Sequence, residues 1–332
     1  MIDLDSISTK PLITPTTHRL TLFDHWDHFL ARVGYKRNQH RVKPGLYSIG
    51  DPQSDSPVFV TANYTLSFDA LRSQLEGIDC YILVMETFGV NVWCAAGKKT
   101  FGTDELVIRI NATQLRKVVD RHVLILPQLG APGISAHEVR KRTGFKVQFG
   151  PVRASDLPEY LRTNQATPEM RKINFSLRDR MILIPIELKQ YLLPAVLLSI
   201  SVWFLLGDIL PALSVIAILF SAGILFPILL PWLPSKNFSI KGFFLGLLTT
   251  IPFVVVILFR TTGTSWVHQT SQALAYFLVI PPPVAYIGLN FTGATTFTSK
   301  SGVRREMFRY LPIMAWTFGA GILVIIVSIF IH

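Results

Sequence analysis

The chain has 332 residues, half of them hydrophobic and 16% charged, with 32 Lys and Arg against 21 Asp and Glu for a formal net charge of +11. Cys80 and Cys94 are the only cysteines, too few for a disulfide scaffold or a four-thiolate cluster. The excess charge does not argue for nucleic acid. Arg171, Lys172, Arg178 and Arg180 precede the first long apolar run, and Lys300, Arg304, Arg305 and Arg309 lie between later ones. Anionic headgroups and membrane topology account for such placement.

Charges are scattered up to about Arg180 and become rare from Leu188 onward. The expected organisation is a soluble domain over 1–180, a linker over 181–189 and a membrane domain over 190–332. Met1-Ile2-Asp3-Leu4-Asp5 is acidic and lacks a basic n-region, so the soluble part is expected in the cytoplasm, where both thiols stay reduced.

Leu20–Val33 has the periodicity of an amphipathic helix. His25-x-x-His28, flanked by Asp24 and Asp27, has metal-like spacing there, but a solvated polar face is the expected role. Gly45–Leu161 then alternates strand-like and helix-like runs. The predicted strands are Val58–Thr61, Tyr81–Met85, Val123–Leu126 and Lys146–Phe149; helices are predicted over Ser67–Leu75 and Thr103–Val119, and from near Ser135 and Ser155. Alternation of this kind gives a mostly parallel sheet covered on both faces, and the continuous apolar runs suit buried parallel strands.

Ser135-Ala136-His137-Glu138 reads as a capping box, and Thr103-Asp104-Glu105 as an N-cap followed by two acids on the positive helix end. These helix starts follow strands, at the carboxyl edge where open α/β sheets bind ligands. Thr61-Ala62-Asn63-Tyr64 and Gly130-Ala131-Pro132-Gly133 are permissive loops at the same edge. No G-x-G-x-x-G follows the first strand, which argues against a dinucleotide.

Cys94 lies in Val90-Asn91-Val92-Trp93-Cys94-Ala95-Ala96-Gly97-Lys98, just after a predicted strand. Four roles compete. It could be a small buried hydrophobe, or a nucleophile with His122 or His137 as base. A zinc or iron–sulfur site lacks partners, because no C-x-x-C occurs. A single axial ligand to a metal already held by a macrocycle needs none. The small residues Ala95, Ala96 and Gly97 suit that last role, since bulky neighbours would hold a helix off a planar surface. The other notable residues have plainer readings. Trp93 suits packing beneath the helix, Cys80 a buried structural thiol, and Lys98 and Lys99 either ligand contact or water.

Asn91-Val92-Trp93-Cys94-Ala95-Ala96-Gly97-Lys98 resembles the signature of the HgcA family, the corrinoid proteins of microbial mercury methylation. More widely, about His18 to Leu188 resembles the large subunit of the corrinoid iron–sulfur protein. The matching pieces are Arg41–Tyr47, Val60–Tyr64, Ala131–Gly133, Gly150–Asp156 and Leu177–Arg180. The related iron–sulfur protein has no cysteine at the position of Cys94, and Lys99 stands where the family more often has glycine.

The resemblance implies an α/β Rossmann-like corrinoid-binding domain with a cap helix carrying Asn91–Lys98, followed by about five transmembrane helices. A cobalamin-type corrinoid would lie between that helix and the carboxyl edge of the sheet. Asn91, Val92, Trp93, Ala95, Ala96, Gly97, Lys98, Thr61, Ala62, Asn63, Gly130, Pro132, Gly133, Ser135 and His137 would surround it, with Cys94 as the axial ligand of cobalt. A thiolate opposite the methyl group would favour its release as a carbanion equivalent to Hg(II), giving methylmercury. The alternative is a methyl carrier of one-carbon metabolism related to the acetyl-CoA pathway. The implied partners are a ferredoxin-like iron–sulfur protein (the family's HgcB), a methyltetrahydrofolate-dependent methyl donor system and membrane lipid.

About 20 apolar residues cross a bilayer. The expected spans are Gln190–Gly207, Ile209–Leu230, Gly242–Phe259, Ser271–Leu289 and Pro312–Ile331, with no ionisable residue near any centre. Lys236, Lys241 and Lys300–Arg309 would face the cytoplasm with the soluble domain, and Asp208, Arg260 and the C-terminus the other side. Anchoring is the expected role of this half. Asn290–Thr298 reads as a polar loop able to fold back.

Overall fold

A computed structural model describes residues 11–36, 39–259, 265–294 and 300–329. The chain forms two compact units, Met1–Ile173 and Asn174–His332.

The first unit runs β1 (Ile13–Thr16), α1 (Leu22–Val33), β2 (Gly45–Ile49), β3 (Val58–Ala62), α2 (Thr65–Arg72), β4 (Cys80–Met85), α3 (Val92–Gly97), α4 (Thr103–Ala112), β5 (Val123–Leu126), α5 (Ala136–Thr143), β6 (Lys146–Phe149) and α6 (Leu157–Thr163). The strands form one six-stranded sheet in the order β1-β2-β4-β3-β5-β6. β3, β4, β5 and β6 are mutually parallel; β2 runs antiparallel to β4, and β1 parallel to β2. The mostly parallel α/β sheet is as expected. β1 and β2 extend it on the side of β4 and were not anticipated.

Side chains alternate along the central strands, and both faces are buried. Val58, Val60, Ala62, Leu83 and Met85 join a core with Phe101, Leu106 and Ile110. Phe59, Cys80, Ile82 and Val84 join the opposite core with Phe68, Leu71, Leu75 and Leu157. This explains why these strands read as continuous apolar runs.

Several helices differ from expectation. The run predicted as one helix to Val119 ends at Ala112, and Leu115–Lys117 is a separate 3-10 turn after Gln114 at φ 49. Gly102, not Thr103, caps α4. Thr103 Oγ1 instead accepts from the Ser135 N–H at 2.8 Å, joining two helix starts. Ser135 caps α5 by accepting from the Glu138 N–H.

α1 overturns the reading of a solvated polar face for His28, while His25 is exposed as expected. His28 is buried, with Nε2 2.6 Å from Asp69 Oδ2. Arg72 bridges Asp69 at 2.6 Å and Asp24 at 2.9 Å, and Asp27 lies 2.7 Å from His40. The charged face docks because Asp69 and Arg72, on α2, supply partners that local periodicity could not show.

The second unit contains α7 (Leu177–Met181), α8 (Ile184–Leu206), α9 (Ile209–Phe220), α10 (Phe226–Leu229), α11 (Phe238–Phe259), α12 (Trp266–Val279), α13 (Pro281–Asn290) and α14 (Lys300–Ile329), with a π turn, Ser221–Leu225, joining α9 to α10. The expected linker 181–189 coincides with the end of α7 and the first turns of α8. Among the described residues, five helical stretches are long and apolar enough to cross a membrane: Leu177–Leu206, Ile209–Leu229, Phe238–Phe259, Trp266–Asn290 and Ser301–Ser328. Arg260 and Thr295–Thr298 lie outside the described residues.

Two cations expected at headgroups are used internally. Arg180 is buried and donates to the Pro227 and Ile228 carbonyls at 3.0 and 2.6 Å. Lys241 Nζ donates to Leu230 O and Leu233 O at 2.7 and 2.6 Å. The last carbonyls of a helix lack intrahelical partners; the two cations satisfy those at the end of α10, and Lys241 also holds the turn beyond it at Leu233.

Candidate functional site

β4 ends at Met85 on the carboxyl edge of the parallel strands, and residues 86–91 carry the chain into α3. That connection is bonded closely. Asn63, the first residue after β3, is buried. Its Oδ1 accepts from Thr87 N–H at 3.1 Å, Thr87 Oγ1 at 2.8 Å and Gly89 N–H at 3.1 Å. Its Nδ2 donates to Glu86 Oε1 at 2.7 Å. From the other side, Glu105 of α4 accepts the Glu86 N–H at 2.9 Å. Phe88 and Gly89, at φ 58 and 71, make the reversal that starts the helix. Asn91 then caps it, its Oδ1 accepting from the Cys94 N–H at 2.9 Å.

A six-residue helix has room for two faces. Val92, Ala95 and Ala96 are buried and belong to the core. The outward face carries Trp93 and Cys94, both half-buried, and Gly97 and Lys98, both exposed. A Cβ built at Gly97 would meet nothing within 4 Å. Cys94 therefore stands on the open face, one turn from a residue without a side chain.

Small size at Ala95 and Ala96 serves a different end from the one expected. It lets α3 pack onto the turn Gln128–Gly133 that follows β5. A Cβ at Gly133 would lie 2.1 Å from Phe101 O and 3.1 Å from Ala96 Cα, and one at Gly130 would lie 2.5 Å from the Phe101 ring. The inner side of the helix is filled. The outward face is thus the side on which Cys94 is open.

The remaining candidates divide in the same way. Thr61 and Ala62 end β3 and are buried. Gly130 is buried and Gly133 half-buried in the turn under α3. Pro132, Ser135 and His137 are exposed. Asn63 is a structural hub for the loop before the helix. Sequence reasoning passed over Glu86 and read Glu105 only as an acid at a helix start, because their bond appears only once β4 and α4 are adjacent. It also passed over Gln128, whose buried Oε1 has no hydrogen-bond partner among the described residues.

The geometry narrows the chemistry of Cys94. His122 precedes β5 and so lies at the opposite edge of the sheet, with its ring against Phe145 at 4.9 Å. Cys80 begins β4 at that same far edge, and burial pushes its thiol up to about 12, with Asp79 adding to the rise. It is an inert core thiol. Among the described residues no group of three or more His, Cys, Asp or Glu could hold a metal ion. One soft sulfur on an open face, beside a glycine, fits a metal whose other ligands come from a macrocycle.

Part of the chain is similar to known proteins. Residues 35–161 match the family described as the CO dehydrogenase/acetyl-CoA synthase delta subunit, CdhD. The acetyl-CoA decarbonylase/synthase complex subunit gamma of Methanopyrus kandleri is 36% identical over 127 residues, covering 38% of this chain and 27% of that protein. The same subunit of Archaeoglobus fulgidus is 32% identical over 130 residues, 39% of this chain and 27% of its own length. The corrinoid/iron-sulfur protein large subunit of Moorella thermoacetica is 28% identical over 153 residues, 43% of this chain and 34% of its own. The chain thus spans only 27–34% of these relatives. The matched segment 35–161 contains β2 to β6 and α3, the elements that place Cys94. α1 and the five apolar stretches lie outside it.

Proposed function

We propose that the α/β unit binds a corrinoid against the outward face of α3, with Cys94 as the single protein ligand of cobalt, and that it carries methyl groups. The observation behind this reading is the open position of Cys94 beside Gly97, in a segment similar to a corrinoid/iron-sulfur protein. When bound, the corrinoid supplies the metal that takes up and releases the methyl group. Cys94 offers a soft, strongly donating sulfur. Gly97 leaves space for a flat surface to reach that sulfur, and Lys98 places a cation at the rim for amide or phosphate groups. Asn63, Glu86 and Glu105 fix the loop, and with it the direction in which Cys94 points.

Two methyl acceptors divide the reading. The Asn91–Lys98 motif favours Hg(II), because sulfur donation helps deliver the methyl group to a soft electrophile. The names of the relatives favour a carrier of acetyl-CoA-type one-carbon metabolism, and that acceptor has the broader support. Release of the methyl group to Hg(II) as a carbanion equivalent would need two electrons returned before the next methylation, from a reductant such as a ferredoxin-like iron–sulfur protein; transfer as a methyl cation to a one-carbon acceptor would need such a partner only to rescue oxidised metal, and both uses need a methyl donor of the methyltetrahydrofolate type. The five apolar stretches would hold the unit at the inner membrane, and the basic loops support a cytoplasmic side for it.

The test is Cys94→Ala in the full-length protein. Cobalt content is expected to stay near that of the parent, the visible spectrum to shift, and methyl delivery to Hg(II) to fall to background. Unchanged spectrum and activity would remove Cys94 from the metal. Retained activity toward a one-carbon acceptor with none toward Hg(II) in the parent protein would select the carrier reading.

A further inference from the structure

α1 is inverted relative to an ordinary surface helix. Its docked side holds Asp24, Asp27, His28 and Ala31, while Leu22, Phe23, Trp26 and Phe29 are 88%, 76%, 58% and 53% exposed. At about 100° per residue these four, with half-buried Leu30 and Val33, cover an arc of about 120°. Trp26 and Phe29 stack, with ring centroids 5.5 Å apart. Soluble surfaces rarely expose so continuous an aromatic stripe without a partner.

We propose that this stripe of α1 lies in the headgroup–acyl boundary of an anionic bilayer. Three observations select lipid over other occupants. Tryptophan, phenylalanine and leucine are the residues that interfacial helices present to the acyl boundary. Exposed cations, Arg19 before the helix, Arg32 in its last turn and Lys36 after it, are complementary to anionic headgroups. The third is tethering. The α/β unit ends at Ile173 and the first apolar stretch begins at Leu177, so a bilayer crossed by that stretch is always present at high effective concentration. α1 also lies outside residues 35–161, which match the family model, as do the apolar stretches. The charged network of Asp24, Asp27, His28, Asp69 and Arg72 then has a clear purpose: it holds the helix by its polar side and leaves the aromatic side outward. This inference is independent of the metal chemistry of Cys94.

The experiment uses the full chain in nanodiscs of POPC containing POPG, with Trp26→p-benzoylphenylalanine as a photocrosslinker and Phe29→p-benzoylphenylalanine as a second position. Mass spectrometry after illumination is expected to find lipid adducts at both. Replacing POPG by POPC should lower the yield about fivefold for each cation engaged. Adducts only with protein, whether this chain, a second copy or another subunit, would overturn the proposal, and so would no adduct at either position. Equal yields in the two bilayers would overturn the headgroup assignment.

Discussion

The two thiols of the chain lie toward opposite ends of β4, Cys80 at its first residue and Cys94 in the helix that follows its last, and their surroundings are built for opposite purposes. At the amino end, Cys80 is buried between β2 and β3, and the loops around it are cross-bonded. The Tyr81 hydroxyl donates to Pro52 O at 3.0 Å, Asp51 N–H donates to Asp79 Oδ1 at 3.1 Å, and Ser54 bonds Asp120. At the carboxyl end, the bonds from Asn63 and Glu105 reach only residues 86–89, and the helix beyond them leaves Cys94 on its open side. One edge is closed for stability. The other is rigid only up to the residue that it presents.

The largest expected difference between the two edges is chemical. N-ethylmaleimide added to the full-length protein at pH 8 should label Cys94 and spare Cys80 by a factor of about a thousand or more. With its thiol pushed up to about 12, only about one Cys80 in ten thousand is thiolate at that pH. Burial removes even that fraction from the reagent. Peptide mapping gives the ratio, and denaturant should equalise the two. Comparable labelling in the native protein would break the contrast at its root. Bound corrinoid should protect Cys94 and leave Cys80 unchanged, which sharpens it.

Much of this arrangement is legible in the sequence, and the exceptions share a cause. The central strands announce themselves because each is buried on both faces, so composition alone marks them. The Asn91–Lys98 segment is legible because its cap and its cysteine are adjacent in sequence. What local patterns could not supply is direction. Ala95 and Ala96 face inward because the Gln128–Gly133 turn approaches them, and that turn follows β5, far along the chain. α1 has the expected amphipathic period, but Asp69 and Arg72 draw its charged side inward and leave its apolar side out. β2 lacks a long apolar run because it pairs near the sheet margin, with Tyr47 and Ile49 on one face and Leu46 on the other.

The rigid part of the open edge can be tested at Asn63. Asn63→Ala removes the acceptor for two backbone amides and a hydroxyl. Leaving buried groups such as the Thr87 amide unpaired costs about 3 kcal/mol. Hydrogen exchange at Thr87 and Gly89 should accelerate by about a hundredfold, with β4 itself little changed. The direction of Cys94 would loosen with the loop, so corrinoid retention should fall as well. Exchange altered less than about threefold would mean that Glu105 alone fixes the connection.

The smallest effect concerns the exit of α3 and separates helix stability from ligand access. Lys99 has φ 65, a left-handed conformation that costs a side-chain-bearing residue about 1 kcal/mol. Lys99→Gly relieves that cost, partly offset by the greater freedom of glycine in the unfolded chain. Amide exchange over Lys98–Phe101 should therefore slow by about two- to fivefold. Because Lys99 follows the helix and Gly97 already leaves the outward face clear, alkylation of Cys94 should keep its parental rate. If the rate changes with Lys99→Gly, the exposure of Cys94 depends on fraying of its own helix, and the open edge is a dynamic property of α3 and not a consequence of how its two faces are packed.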